Sequence, residues 1–324
     1  MNVYFFHQPL TAQAVGNALF GFKRMNSDHE EVRQMLVALT PKIDSCFHTL
    51  SVQNIDNAFF GMQSLSSDWP EVRALLSALR DKLGTRQLDS HALGSVFFGL
   101  QRMECKHEEV RRLLIALEAA LPVPRSDGTG QLQAVSFAMA FSGLRLMHDG
   151  TAEVDQLLQK VHALIVTCDE DFSISSLVNI VFGMQSMEAR SDSAKGMLTF
   201  VSSRLASLGR VRTSSPASSD HERKLLTLNA PLLGRALYGL KSMTSDDKEV
   251  REMISALTEI LESEGEYGLE GRFTALDLSR LVAGLRGMSS EHVEVNRLVS
   301  AVTRHIEDPT RCEALATAEI GEPD

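Results

Sequence analysis

The sequence predicts an all-α fold, namely a right-handed α-solenoid of about seven helix-turn-helix repeats of roughly 38–45 residues each. Three observations support this prediction. The motif FFGLQRM at 97–103 recurs in variant form along the chain, apolar residues around each copy follow the helical period, and no segment shows the alternation of a strand. The central glycines of the seven copies are Gly21, Gly61, Gly99, Gly143, Gly183, Gly239 and Gly284.

The spacing of these glycines sets the expected domain organisation. Successive glycines are 40, 38, 44, 40, 56 and 45 residues apart. These intervals are typical of stacked helical hairpins, so residues 1–308 are expected to form one helical-repeat array. The longest interval contains a Ser-rich, Pro-containing insert at 207–223, which is expected to be flexible. The acidic tail at 309–324 has no repeat partner and is expected to be poorly ordered.

The glycine lies in the first helix of each repeat. With the glycine numbered zero, apolar residues recur at positions −11, −6, −3, −2, +1 and +4, and this helix is expected to end near +5. A glycine inside a helix costs about 1 kcal/mol relative to alanine. Its recurrence therefore predicts a point where neighbouring helices approach too closely for a side chain.

The second helix of each repeat follows a short polar segment. Asp recurs at +7 and Glu at +10, and apolar residues then recur at +11, +14, +15, +18 and +22. A carboxylate with Glu three residues later predicts a capping box, and both charges favour the positive end of a helix. The acidic residues concerned are Asp28, Asp68, Asp246, Glu31, Glu71, Glu109, Glu153, Glu249 and Glu294.

Composition excludes several classes of function. The chain of 324 residues has no apolar run long enough for a membrane span, and its first residues lack the features of a secretory signal, so no membrane insertion is expected. The four cysteines are scattered, which favours reduced thiols in an intracellular compartment. The single Cys/His cluster, at 105–107, has no second half, so no metal site is expected.

No catalytic constellation is present in the sequence. There is no GxSxG elbow, P-loop, GxGxxG after a strand or HExxH, and the ten histidines are dispersed. We therefore expect a protein that is not an enzyme, with no catalytic residue and no cofactor.

One side of the first helix is unusually basic. Positions −5, −4, −1, +2 and +3 fall opposite the apolar side of the helical wheel, and we call these 35 positions the polar stripe. Asp56 is its only acid, in a chain of net charge −10. Overall acidity argues against indiscriminate binding of polyanions, whereas the local basic stripe permits selective binding. Its basic residues are Lys23, Arg24, Arg102, Arg145, Arg235, Lys241, Arg280 and Arg286.

Amide and aromatic side chains share the polar stripe. Regularly spaced amides and guanidinium groups can contact base edges or phosphates, and exposed aromatics can stack on single-stranded bases. The amides are Asn17, Asn57 and Asn179 at −4, and Gln63, Gln101 and Gln185 at +2. The aromatics at −1 are Phe20, Phe60, Phe98, Phe182 and Tyr238. An equally simple interpretation makes the aromatic column packing between neighbouring first helices, and the Asn column a set of caps or bridges between repeats.

The segment NALFGF at 17–22, followed by Met25, resembles the first helix of octotricopeptide and heptatricopeptide repeats. Those repeats carry Asn-Ala-Leu, an aromatic residue that is usually Trp, a small residue and then Leu. The same signature is recognisable at 57–62, 179–184 and 235–240. Here Phe or Tyr replaces Trp and Gly replaces the usual Ala, and the family's Pro-rich tract ending in Glu-Trp is represented at most by WPE at 69–71.

This resemblance implies an α-solenoid that binds organellar RNA and supports its processing, stability or translation. It implies a mitochondrial or chloroplast location, and it places Asn17, Asn57 and Asn179 on the RNA-binding surface because they match the family's Asn. Single-stranded RNA is thus the expected partner. The alternative partner is a protein, held by an interaction scaffold that uses the same concave surface or the acidic second-helix surface and has no nucleic-acid role.

Overall fold

A computed structural model of the protein describes residues 9–123, 132–214, 225–262 and 269–307. Within these ranges the chain forms fourteen α-helices and no strand, which confirms the all-α prediction. The helices are α1 (Ala12–Phe20), α2 (Glu30–Asp44), α3 (Val52–Gly61), α4 (Pro70–Leu83), α5 (Ser90–Phe98), α6 (Glu108–Ala119), α7 (Ala134–Gly143), α8 (Ala152–Val166), α9 (Ile174–Gly183), α10 (Asp192–Ser214), α11 (Ala230–Gly239), α12 (Lys248–Glu262), α13 (Ala275–Gly284) and α14 (Val293–Glu307).

The chain divides into two units, each a stack of helical hairpins. The first unit contains Met1–Asp171 and Arg190–Ala194, and the second contains Phe172–Ala189 and Lys195–Asp324. In the first unit, α1, α3, α5 and α7 pack in succession, as do α2, α4, α6 and α8. In the second unit, α9 packs on α11, α11 on α13, and α12 on α14. First helices thus contact first helices and second helices contact second helices, which is the arrangement of a helical solenoid.

Two expectations concern segments at or beyond the limits of the described residues. The insert expected to be flexible begins at residue 207, but 207–214 continue α10 as helix. The remainder of the insert and the tail at 309–324 lie outside the described residues.

Six of the seven first helices begin at a side-chain cap ten residues before the glycine, whereas Gln133 at the start of α7 makes no capping hydrogen bond. The cap oxygen accepts a hydrogen bond from the backbone N–H three residues later, as Asp89 does from Ala92 at 2.8 Å. Such a cap stabilises a helix by about 1 kcal/mol. The caps are Thr11, Ser51, Asp89, Ser173, Asn229 and Thr274.

The first helices end at the glycine or one residue before it, so the expected end near +5 is wrong. In the third repeat, Gly99 is the C-cap of α5 and the following residues form a tight turn. Leu100 and Met103 are buried within this turn. Leu100 and Met103 are thus buried at the positions that the helical period predicts, although the backbone there is no longer helical. Periodicity alone therefore overestimates the length of the helix.

The repeat glycines mark close contacts between successive first helices, as the sequence predicted. A Cβ atom built on Gly99 would overlap the carbonyl oxygen of Phe59 in α3, two residues before the preceding glycine. The equivalent overlap occurs for Gly61 with Leu19, Gly143 with Phe97, Gly239 with Val181 and Gly284 with Leu237. The first glycine, Gly21, differs, because a Cβ there would have no atom within 4 Å.

The second helices begin at +9, and the predicted capping box is wrong. The N-cap position is +8, occupied by His29, Trp69, His107 and Thr151, and none of these side chains makes a capping hydrogen bond. The Asp at +7 therefore lies outside the cap. The Glu at +10 does lie in the first turn, where a negative charge is favourable.

In four of the seven repeats an arginine at +12 braces the turn and contacts the neighbouring repeat. In the third repeat, Arg111 Nη1 donates to the carbonyls of Cys105 (2.9 Å) and Lys106 (3.0 Å). Its Nε lies 3.7 Å from a carboxylate oxygen of Glu153 in the next repeat. The same paired carbonyl contact recurs for Arg33, Arg73 and Arg251. The recurrent Glu at +10 is thus an inter-repeat ion-pair partner.

A buried hydroxyl or thiol at +6 makes a second inter-repeat contact that sequence reasoning missed. Its side chain accepts a hydrogen bond from the backbone N–H at +5 of the next repeat. The pairs are Ser27 with Ser66 (2.9 Å), Ser67 with Glu104 (2.9 Å), Cys105 with His148 (3.3 Å) and Ser245 with Ser289 (2.8 Å). A buried donor without such an acceptor would cost about 1–3 kcal/mol. The recurrence of a small polar residue at +6 was the available signal.

The described residues show three further features that bear on function. None of the helices within them combines the length and apolar character needed to cross a membrane. Cys46, Cys105 and Cys168 are buried and form no disulfide in the described part of the chain, while Cys312 lies outside the described ranges. No group of three or more His, Cys, Asp or Glu side chains in these ranges is arranged to hold a metal ion.

Candidate functional site

The aromatic residues at −1 form a ladder of rings along the first helices. In the first unit, the ring centroids of Phe20 and Phe60 are 6.1 Å apart and those of Phe60 and Phe98 are 5.9 Å apart, with interplanar angles of 21° and 23°. In the second unit, Phe182 and Tyr238 are 6.0 Å apart. All five rings are half-buried. The rings pack on one another, as the packing interpretation predicted, and still leave part of their surface accessible.

The spacing of the rings limits how a nucleobase could contact them. Carbon atoms in contact lie about 3.5–4.0 Å apart, so a base between two parallel rings needs about 7 Å. The rings of Phe60 and Phe98 are closer than that. Bases can therefore lie against the exposed surface of the ladder but cannot enter between its rings. The ladder is interrupted at Ser142 and Ala283, and in both repeats the residue at +2 is an arginine, Arg145 or Arg286.

Cationic side chains lie over the exposed rings. Lys23 Nζ is 4.4 Å from the centroid of Phe20. In the second unit, Lys241 Nζ is 4.3 Å from the centroid of Tyr238 and hydrogen-bonds to Gln185 Oε1 at 3.2 Å. Arg235 is 4.7 Å from the centroid of Phe182. These contacts fix positive charge at the surface of the ladder without neutralising it.

Each unit contains one pair of like-charged arginines in its part of the polar stripe. The pKa of Arg145 is lowered by burial and, to a lesser extent, by the charge of Arg102. In the second unit, burial and then the charge of Arg280 lower the pKa of Arg235. A lowered arginine pKa means that the charged form is disfavoured by its surroundings. A bound anion would relieve both effects, so these pairs are candidate anion-binding positions.

The side chain of Arg102 already makes hydrogen bonds and an ion pair within the protein. Its Nη1 donates to Asn26 Oδ1 (2.9 Å) and to the carbonyl of Ser64 (3.1 Å), and its Nη2 lies 3.3 Å from Asp28 Oδ2. It thereby connects three successive repeats. Positions +2 and +3 lie in the turn after the first helix, so their side chains can reach neighbouring repeats, which a helical wheel does not show.

Three basic residues of the polar stripe have no acidic partner within the described ranges. Arg24 and Arg286 are exposed, and Arg280 is half-buried. The only acid of the stripe, Asp56, is buried and lies 3.3 Å from His91 Nε2. The basic character that the sequence indicated is therefore preserved on the surface of each unit.

The amide residues occupy different environments. Asn17 is exposed, whereas Asn57 Oδ1 accepts a hydrogen bond from Gln53 Nε2 at 3.2 Å. Asn179 Oδ1 is buried and has no hydrogen-bond partner in the described part of the chain. The three Gln residues at +2 are partly or wholly enclosed: Gln63 Nε2 donates to the carbonyl of Phe60, Gln101 is half-buried and Gln185 is buried. Of the six amides, only Asn17 is fully available to a ligand.

The candidate residues are brought together separately in each unit. The first unit holds Asn17, Lys23, Arg24, Asn57, Gln63, Gln101, Arg102 and Arg145 beside the rings of Phe20, Phe60 and Phe98. The second holds Asn179, Gln185, Arg235, Lys241, Arg280 and Arg286 beside Phe182 and Tyr238.

The acidic residues at +7 give the first unit a predicted pH dependence. Hydrogen bonds from Asn26, Trp69 and Arg102 lower the pKa of Asp28, and Lys106 is the largest cause that lowers the pKa of Asp68. A carboxyl group with a lowered folded-state pKa stabilises the fold above its unfolded-state value, and this stabilisation is lost as the pH falls through the folded-state pKa.

We therefore expect the melting temperature to fall below about pH 4, near the ordinary pKa of Asp. The double variant Asp28→Asn/Asp68→Asn should melt lower at pH 7 and show a shallower decline in acid. Thermal unfolding followed by circular dichroism between about pH 3 and 7 measures both effects. Asp44→Asn is the matched control, because the exposed carboxylate of Asp44 makes no hydrogen bond in the described structure. Parallel acid profiles for the double variant and the wild type would contradict the assignment.

Comparison with known proteins adds no assignment. No protein-family model matches this chain, and no curated protein matches it significantly.

Proposed function

We propose that the protein is a non-enzymatic helical-repeat protein that binds single-stranded RNA along the face formed by its first helices. The observation that carries this proposal is the ladder of half-buried rings with unneutralised cations over and beside it. Aromatic surface and fixed positive charge are the two components of sequence-tolerant binding to single strands. Double-stranded nucleic acid fits less well, because its bases are not available for stacking on a ladder.

The charge distribution supports a selective polyanion site. The chain has a net charge of −10, yet each unit places a pair of arginines in the polar stripe, and burial together with the neighbouring arginine lowers the pKa of Arg145 and of Arg235. An RNA backbone would place phosphates beside Arg145 and Arg286, at the two interruptions of the ladder. The resemblance of NALFGF at 17–22 to octotricopeptide and heptatricopeptide repeats supports the same partner and suggests a role in organellar RNA processing, stability or translation.

The proposal predicts a smaller salt dependence of RNA binding when the stripe is neutralised. Lys23, Arg145, Lys241 and Arg286 are changed together to Gln, and binding of a labelled single-stranded RNA is measured by fluorescence anisotropy at several salt concentrations. Each lost phosphate contact lowers the slope of log K against log salt by about 0.7, so four contacts lower it by about 3. Affinity at low salt should fall by about tenfold or more.

A matched control separates a specific surface from general charge effects. The control changes Arg86, Arg112, Arg210 and Lys248, which are exposed and lie outside the polar stripe, to Gln. It alters the net charge by the same amount and should leave the slope nearly unchanged. Equal slopes for the two variants would exclude the stripe as the RNA surface. If the wild type binds no RNA and recovers the same protein partners before and after nuclease treatment, the protein is a scaffold.

A further inference from the structure

The exposed end of the first repeat is an apolar groove of about 360 Å³ between α1 and α2. Gly21, Phe22, Met25, Met35 and Leu39 contribute to its lining. In the later repeats whose glycine contacts the structure describes, a carbonyl group of the preceding repeat lies against the glycine that corresponds to Gly21. Among the repeat glycines whose surroundings the structure describes, only Gly21 has open space where that backbone would lie. We call this surface the leading face.

Neighbouring positions on the leading face show the same missing contact. Met35, at +14, is 54% exposed, whereas its equivalents Leu75, Leu113 and Met253 are fully buried. The backbone N–H of Asn26, at +5, has no acceptor in the described structure, although the N–H at +5 of later repeats donates to a Ser or Cys at +6. The leading face therefore has the features of one half of a repeat-to-repeat interface.

The last repeat presents the other half, which we call the trailing face. Val282, at −2, is 67% exposed, but its equivalents Leu19, Phe59 and Phe97 are buried and supply the carbonyls that contact the next glycine. Val299, at +15, is also exposed where Leu76, Leu114 and Ile254 are buried. Ser290, at +6, is exposed and corresponds to the acceptors Ser27, Ser67 and Ser245.

We propose that the trailing face of one copy of this chain docks on the leading face of a second copy, head to tail, in the geometry of the internal repeats. Val282 would supply the carbonyl opposite Gly21, and Ser290 would accept from Asn26. Charge complementarity supports this occupant. Within the chain, the residue at +8 contacts the acid at +7 of the preceding repeat, as His107 does with Asp68 and His292 with Asp246. Across the proposed junction the equivalent pair is His29 with Glu291, and both are exposed.

Such a contact uses two different surfaces, so it produces chains or rings of copies rather than a symmetric pair. The inference concerns assembly and does not depend on RNA binding. Sedimentation velocity of the full chain without RNA, over roughly 1 to 100 μM, tests it. The wild type should show concentration-dependent association to dimers and larger species.

The substitution Gly21→Ala should abolish this association while leaving the monomer folded, because a Cβ atom at Gly21 meets no atom of the described residues within 4 Å but would overlap the docked carbonyl. Val299→Arg should also give a monomer, because it places a charge in the apolar contact. Ile115→Ala is the control: Ile115 is exposed within an internal repeat, and association should be unchanged.

A mixture of the two monomeric variants distinguishes the proposed geometry from others. Gly21→Ala retains an intact trailing face and Val299→Arg retains an intact leading face, so the mixture should form a one-to-one dimer and nothing larger. A wild type that remains monomeric throughout, or a Gly21→Ala variant that associates as the wild type does, would overturn the proposal. A mixture that stays monomeric would overturn it as well.

Discussion

Replacing Gly99 with alanine is expected to lower the free energy of unfolding by about 3 kcal/mol or more, or to prevent folding. The added Cβ would overlap the carbonyl oxygen of Phe59, and both backbones are held in packed helices that cannot move apart without losing the buried contacts around them. Urea unfolding followed by circular dichroism measures the effect.

The matched control is the same substitution at Gly21. Its backbone is in the right-handed helical region, and a Cβ there has open space. Alanine should therefore leave the unfolding midpoint unchanged or raise it, since glycine is the poorer helix former by up to about 1 kcal/mol. Similar destabilisation at both positions would mean that the glycines serve backbone conformation rather than close helix contact.

Replacing Arg111 with methionine is expected to destabilise the fold by about 2 kcal/mol, because two backbone carbonyls lose a charged donor. The carboxylate of Glu153 in the next repeat also loses its ion pair with Arg111. Methionine preserves much of the length of the side chain, so the change in urea midpoint reports the lost polar contacts.

Arg112→Met is the adjacent control for this prediction. Arg112 is 60% exposed and pairs with Glu108 on the surface of the same helix. Surface pairs of this kind contribute little, so a change within about 0.5 kcal/mol is expected. If the two variants lose the same free energy of unfolding, the contacts of Arg111 with the two carbonyls and with Glu153 contribute no more than an ordinary surface ion pair.

Sequence periodicity was sufficient to predict that each repeat contains two helices, but it did not predict where those helices end. The apolar positions at −3, −2, +1 and +4 identify buried residues in the internal repeats, whereas Met25 in the first repeat and Val282 in the last are exposed. Leu100 and Met103 are buried from a turn rather than from a helix, so the period continues after the helix has ended. The Asp at +7 and Glu at +10 suggested a local cap because a single repeat offers no other partner. Their partners lie in neighbouring repeats, as Glu153 shows with Arg111.

The sequence predicted which residue types form the candidate site, but not which of their side chains are accessible to a ligand. The sequence identified a basic, aromatic stripe, and each unit presents its part of that stripe on the first helices. It could not show that Arg102 is bound to Asn26 and Asp28 of another repeat, nor that Gln185 is buried. Both residues lie in the turn after the glycine, where the angle on a helical wheel no longer describes the direction of a side chain.

The close helix contact at the glycine also builds the proposed binding surface. Gly99 lets α5 approach the backbone of α3 at Phe59. The residues adjacent to this contact are Phe98 and Phe60, and their ring centroids are thereby brought to 5.9 Å from each other. The glycines lie at or near helix ends, where the conformational cost of glycine is smaller than in a helix interior. One sequence motif thus provides both the packing between repeats and the ring-to-ring contacts of the ladder within each unit.

The most direct test of RNA binding along the first-helix face is ultraviolet crosslinking of the full chain to single-stranded RNA, with the crosslinked peptides identified by mass spectrometry. We expect crosslinks on the ladder, at Phe60, Phe98, Phe182 or Tyr238, and in the turns that carry Lys23, Arg145 and Arg286. Crosslinks confined to the second helices, or the absence of any crosslink under conditions that label a known single-strand binder, would contradict it.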